Sequence, residues 1–187
     1  MTDASCELNT PADQPLAKAK GDDCSLEISA EKLQGRQRRI LASILIPCPI
    51  EQVWQILTDY DNLADFIPNL TVSRRLESTE SMTLLEQIGS QCFLNIQFCA
   101  RVVLKMAEQF PNRIGFTMIE GDFKAFEGAW RLEPEQALES RTRLTYEVTV
   151  CPPRTIPAIL IERHLRNDLT QNLRAIRQYA IASAGVA

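Results

Sequence analysis

The chain is expected to fold as an α+β domain, a curved antiparallel sheet of about seven strands wrapped around one long C-terminal helix. Three observations lead there. Residues 39–70 pack a strand, two short helices and a proline break into one stretch. Segments of period-two alternation follow, joined by turns too short for parallel crossovers. A single long helical pattern, residues 156–181, closes the chain. A sheet curved around a helix leaves space between the layers, so a ligand-holding cavity is expected.

Ile40, Leu41, Ile44, Leu45 and Ile46 form the first strand, which ends at Pro47 and Pro49. Pro49 suits the first turn of a helix, where a missing N–H costs nothing. Val53, Trp54, Leu57 and Tyr60 then recur at helical spacing. Asp61 is placed to cap a second short helix running to Phe66, and Pro68 stops it. Residues 71–77 and 82–88 are the next strands, split by the polar turn 78–81.

Residues 94–108 alternate over a long span, with Phe98, Ala100, Val102, Leu104 and Met106 on one side. Beyond Pro111 and Asn112, Ile114, Phe116 and Met118 share a face. Gly121 and Asp122 turn into strand 123–132, where Phe126, Gly128, Trp130 and Leu132 align. Residues 141–150 set Leu144, Tyr146, Val148 and Val150 against polar neighbours, and Pro152 and Pro153 end the sheet. In the last helix Ile161, Leu165, Leu169, Leu173, Ile176 and Ala180 make one stripe. It is expected to pack on the concave face and, in part, to line the cavity.

The 187 residues suit one domain plus a tail, and a hydrophobic content of 45% is ample for a core. Residues 1–34 hold Pro11, Pro15, Gly21, Asp22 and Asp23 and lack aromatics. They read as a disordered arm with a short strand at 25–28, and the domain as 35–187. A net charge of −4 excludes a DNA-binding protein held by bulk charge. No apolar run reaches about 18 residues, and no secretory signal opens the chain, so a cytoplasmic protein is expected.

Six cysteines form no C-x-x-C pair, and His164 is the single histidine, so no metal site is expected. In a reducing cytosol the cysteines read as small buried hydrophobes. No phosphate-cradling glycine motif and no G-x-S-x-G nucleophile occurs, so no cofactor is expected. Arg36, Arg38, Arg39, Arg74, Arg75 and the helix arginines read as solvated faces. His164 reads as structural or exposed, with a polar group of the pocket as the alternative. Tyr146 reads as a core tyrosine with its tip at the rim, or with its hydroxyl in the cavity.

Residues 46–70 read I-P-x-P-x-E-x-V-W-x-x-L-T-D-Y-D-N-L-x-D-F-I-P-N-L, and 121–132 read G-D-F-K-x-F-E-G-x-W-R-L. Together with the strand that runs through two prolines into a long helix, these resemble the START-like (SRPBCC, helix-grip) superfamily. Within it they are more similar to the coenzyme Q-binding and polyketide cyclase/dehydrase branch, and most similar to cyanobacterial and plastid members. The resemblance spans residues 36–183. It implies a helix-grip fold with a hydrophobic cavity, in a group whose members bind quinones, lipids or polyketides and include a ribosome-associating toxin. The motif positions Val53, Trp54, Leu57, Asp59, Tyr60, Phe66, Pro68 and Trp130 would shape the fold and the cavity mouth. Cys48 departs from the pattern, because a capping residue is more usual there.

The expected function is non-catalytic binding or carrying of a hydrophobic small molecule, a quinone, isoprenoid or lipid, with peripheral contact to a membrane. Alternation places Phe98, Val102, Phe116, Met118, Phe126, Trp130 and Tyr146 at the cavity, the helix stripe adds Leu165 and Leu169, and the resemblance implies Phe66, with no catalytic residue among them. The alternatives are a polyketide cyclase/dehydrase-like enzyme, which needs a positioned acid or base in the cavity, and a ribosome- or protein-docking module using the outer arginines.

Overall fold

The strand that opens the 39–70 motif, β2 (Arg38–Ile46), lies one place in from a sheet edge in the computed structural model. The structure describes residues 25–79, 82–93, 96–135 and 138–184, without the side chains of 91–93, 96–98, 138 and 139. A first strand, β1 (Glu27–Lys32), precedes β2, and α1 (Ile50–Thr58) and a 3₁₀ turn (Tyr60–Asp65) follow it. Then come β3 (Leu70–Thr79), β4 (Met82–Phe93), β5 (Ile96–Gln109), β6 (Arg113–Gly121), β7 (Ala125–Glu135), β8 (Leu138–Cys151) and α2 (Ala158–Ala184). All pairings are antiparallel, in the order β1-β2-β8-β7-β6-β5-β4-β3. The α1 connection therefore carries the chain from one end of the sheet to the other.

Among the described residues the sheet has eight strands, where the sequence suggests about seven. The extra one is β1, longer than the short strand expected at 25–28 and paired along its length from Glu27↔Ser43 to Lys32↔Arg38. Leu26, Ile28 and Ala30 alternate inward onto the core. Gly35, with φ of 61°, makes the hairpin turn to β2, a conformation glycine adopts without a Cβ clash. Of the expected arm, residues 1–24 lie outside the described residues.

The core follows the alternation. Ile40, Ala42, Ile44 and Ile46 of β2 face Val148, Tyr146, Leu144 and Thr142 of β8. The helix stripe covers this half of the sheet, with Leu173, Ile176 and Ala180 fully buried. Asp61 does not cap the second helix: the 3₁₀ turn starts at Tyr60, one residue earlier, and no side chain caps it. Asp61 instead accepts the backbone N–H of Arg75 on β3, at 2.8 Å.

Three arginines read as solvated are clamps. Arg38 is buried and bonds Glu162 of α2 at 2.9 Å. Arg36 donates to the carbonyls of Pro153 and Ile156 before α2, and Arg177 donates from α2 to the carbonyl of Leu45 at 3.2 Å. Cys48 is buried and its carbonyl accepts the hydroxyl of Thr142 at 2.8 Å, which steadies the uncapped start of α1. Cys99, by contrast, is exposed, and it pairs in register with Ser90.

On the outer face Glu86 accepts from Arg101 at 2.7 Å and Arg74 at 2.6 Å. These hydrogen bonds, Arg101 first, hold its carboxyl below the usual carboxylate range. A lowered carboxyl stabilises the fold above the unfolded-state value and loses that contribution as pH falls through the folded-state value. Glu86→Gln should therefore be less stable than the parent at neutral pH. The gap should close as the pH falls below the ordinary glutamate value of about 4. Urea unfolding across pH 3–7 measures it, and a gap that stays constant would contradict the assignment.

Gly128 allows β7 to approach β8. A Cβ there would lie 2.0 Å from the carbonyl oxygen of Glu147 and 2.7 Å from the Phe116 ring. Gly128→Ala must displace backbone, so it should destabilise by about 1–3 kcal/mol. Thermal melting reads this directly, and an unchanged Tm would mean the strands are not so close.

Candidate functional site: a cavity under the first half of the helix

The N-terminal half of α2 does not seal onto the sheet. Leu165 is only partly buried, and between it and β4–β8 lies a cavity of about 190 Å³. Period-two alternation supplies its sheet wall: Val102, Leu104 and Met106 from β5, Phe116 from β6, Phe126 and Trp130 from β7, and Tyr146 from β8. Ile161, Leu165 and Leu169 form the helix wall, and Leu57, Tyr60 and Leu63 close one end.

The aromatic rings form one continuous group. Trp130 and Tyr146, directly opposed in register, stack with centroids 3.7 Å apart and planes within 5°. Phe116 lies 5.6 Å from Phe126 and 5.8 Å from Tyr146. The two tilted contacts of Phe116 are of the kind that adds about 0.5–1.5 kcal/mol each beyond burial.

On the helix side polarity lies on one strip, and Asn69 and Gln87 are polar elsewhere in the lining. His164, Asp168 and Asn172 follow one another at four-residue spacing on α2 and all line the cavity. His164 Nε2 lies 3.5 Å from Asp168 Oδ2. Burial pushes the Tyr146 phenol well above its ordinary value, and the Asp168 carboxylate adds to this. Tyr146 therefore stays a protonated donor at every physiological pH. Asn172 Oδ1 is buried with no hydrogen-bond partner among the described residues. A buried acceptor left unpaired is costly, so a donor of a guest or a water is favoured beside it.

Of the residues assigned to the cavity from the sequence, Val102, Phe116, Phe126, Trp130, Tyr146, Leu165 and Leu169 line it. Phe66 does not. It ends the 3₁₀ turn facing outward and stacks on Tyr179 of α2, centroids 4.2 Å apart. Met118 pairs with Leu104, shares its inward face and packs against the core, but it is not among the residues that line the cavity. Phe98 lies outside the described side chains. Sequence reasoning missed Asp168 and Asn172, and set His164 aside. The signal was their spacing along the flank of the apolar stripe.

The profile of the family described as polyketide cyclase/dehydrase and lipid transport matches residues 46–177. That stretch is well over half the chain, and it includes the α1 connection, most of the sheet and the cavity side of α2. The chain belongs to that family. Among curated proteins it is similar to the ribosome association toxin RatA of Escherichia coli strain K12. The two are 27% identical over 113 residues, covering 59% of this chain and 69% of RatA. Among solved structures, the STAR-related lipid transfer protein from Xanthomonas axonopodis superposes with a TM-score of 0.69 at 14% identity. The match covers 87% of this chain and 96% of that one. The ZhuI aromatase/cyclase from Streptomyces gives a TM-score of 0.66 at 15% identity, over 77% and 93%. At such identities these two structures establish the fold.

The chain has two tryptophans, and Trp130 lines the cavity while Trp54 does not. A ring-sized heavy-atom quencher, 4-bromophenol, should quench Trp130 emission. Trp54→Phe should keep the saturable response and Trp130→Phe should remove it. Saturable quenching that persists in Trp130→Phe would place the guest elsewhere.

Proposed function

We propose that this protein binds or carries a hydrophobic small molecule, a quinone, isoprenoid or lipid, in the cavity under α2, without chemistry on it. The observation that carries this is the lining: predominantly aromatic and aliphatic, with its polar side chains chiefly in the strip of His164, Asp168 and Asn172 and at Asn69 and Gln87. Recognition then rests on burial, worth about 0.8 kcal/mol per enclosed CH₂. The strip with Tyr146 would orient one polar group of the guest. The contacts are Val102, Phe116, Phe126, Trp130, Tyr146, Leu165 and Leu169, with Phe98 as a further candidate. Within the family, the coenzyme Q-binding branch is the reading that residues 46–70 favour. Such a guest is stored in membranes, so loading by peripheral contact from the cytoplasm is part of the proposal. No described helix is long and apolar enough to cross a membrane.

The test is extraction and mass-spectrometric quantitation of apolar molecules retained by protein purified from its source. Val102→Asp puts an unpaired carboxylate in the wall and should abolish retention. Tyr146→Phe and His164→Gln should each leave occupancy within about threefold, since less than about 1 kcal/mol is at stake. Absence of any retained apolar molecule would refute the carrier reading.

Two other readings have specific support. The His164–Asp168 pair on the helix and the Tyr146 phenol on the sheet line the same cavity, which is what a cyclase or dehydrase acting on a poly-carbonyl substrate would need as base and acid. Turnover of such a substrate that is lost in His164→Gln would favour it. Similarity to a ribosome association toxin supports docking through the arginine-bearing outer faces. Salt-sensitive cosedimentation with ribosomes would favour that.

A further inference from the structure

The cavity under α2 holds little more than a benzene-sized group, a guest that a cavity of about 150 Å³ already accepts. Pockets for typical small-molecule ligands enclose about 300–1,000 Å³. Beyond the cavity's Tyr60 end lies an open groove of about 420 Å³, an outer chamber between the start of the 3₁₀ turn and the far ends of β3, β4 and β5. Its character is opposite. Thr58, Ser78, Thr79 and Thr83 present hydroxyls, and Arg75 and Glu108 present one charge of each sign.

Tyr60 and Met106 line both chambers, so these two side chains are the wall between them. The Tyr60 backbone is pinned, since its carbonyl accepts the buried Ser73 hydroxyl at 2.5 Å. Its ring is tied by one hydrogen bond, from the phenol to Glu108 Oε1 at 2.7 Å, and Glu108 is exposed. The Arg75 guanidinium lies 5.4 Å from the ring centroid, on the outer side. The Tyr60 ring thus stands between the apolar cavity and the groove, with its tip bonded to a solvent-facing carboxylate.

The geometry points to a single bipartite site divided by Tyr60, for an amphipathic ligand whose ring or short chain enters the inner chamber and whose uncharged, hydroxyl-rich head occupies the outer one. This rests on the carrier reading above and assigns the class of head. An anionic head would meet Glu108. A cationic one would meet Arg75, which is itself balanced by Asp61 at 3.7 Å. Hydroxyls find donors and acceptors in Thr58, Ser78, Thr79 and Thr83 without a charge conflict. Burying more of the ligand also resolves an energetic shortfall. Six enclosed carbons at about 0.8 kcal/mol each give sub-millimolar affinity at best before ordering costs.

The test is an NMR titration with two probes, 4-propylphenol, which the inner chamber accepts alone, and its β-glucoside, which adds an uncharged hydroxyl-rich head. Tyr60→Phe keeps the ring and the packing but removes the tie to Glu108. It should bind the glucoside at least about fivefold more tightly than the parent and 4-propylphenol within about twofold. Thr83→Val, remote from the inner chamber, should weaken the glucoside by at least about threefold and leave 4-propylphenol unchanged. If 4-propylphenol binds and the glucoside binds neither the parent nor Tyr60→Phe, the bipartite site is wrong and the carrier reading stands. The same holds if the glucoside binds indifferently to both substitutions. If neither probe binds any variant, both readings fall.

Discussion

One helix cannot cover eight strands. A helix with its side chains is about 10–12 Å across, and strands repeat every 4.7–4.9 Å, so a helix shields two or three of them. In this fold α2 lies over β1 and β2, and there the apolar stripe of its C-terminal half is fully buried. The strands from β7 to β3 can shield their inner faces only by curling toward the helix. The α1 connection, thrown from one end of the sheet to the other, closes the open end. What remains under the N-terminal half of α2 is too wide for the aliphatic side chains to fill. Large aromatic rings take up part of it, and the rest is the cavity.

The same constraint explains where the charges sit. Apolar packing holds α2 most completely along its second half, with Ile161 and Leu169 the buried residues of the first. Polar clamps hold the first half and the approach to it: Arg38 to Glu162, and Arg36 to the carbonyls just before the helix. On the curled half of the sheet, Glu86 binds arginines from strands on both sides of it, Arg74 on β3 and Arg101 on β5. These groups do not make the cavity, but they fix the two walls at the separation that leaves it open.

The cavity's chemistry follows from which face supplies it. Strand alternation can deliver only every second residue inward, and in these strands that set is almost wholly apolar. A helix offers a wider arc, so residues flanking its apolar stripe also turn inward. That is how His164, Asp168 and Asn172 become the polar strip while the sheet contributes rings. A site of this kind binds by enclosure and orients with a few polar atoms, which agrees with membership of a family defined by polyketide chemistry and lipid transport.

Much of this was legible in the sequence. Period-two alternation identified the strands and put Val102, Phe116, Phe126, Trp130 and Tyr146 on the inner face, because side-chain direction in a strand is a local property. The 3.6-residue stripe did the same for Leu165 and Leu169. Other features depend on contacts between segments far apart in the chain. Phe66, at the end of a short 3₁₀ turn, stacks on Tyr179 of α2 instead of lining the cavity. Arg36 and Arg38 became clamps only because α2 returns over β2 more than a hundred residues later. By itself the sequence determined the element types, the inward faces and the family, all of which follow from local geometry and motif. The tertiary structure alone decided the depth of the cavity, the polar strip and the Tyr60 partition. These arise from how far one helix can reach across a curved sheet, a distance no local pattern encodes.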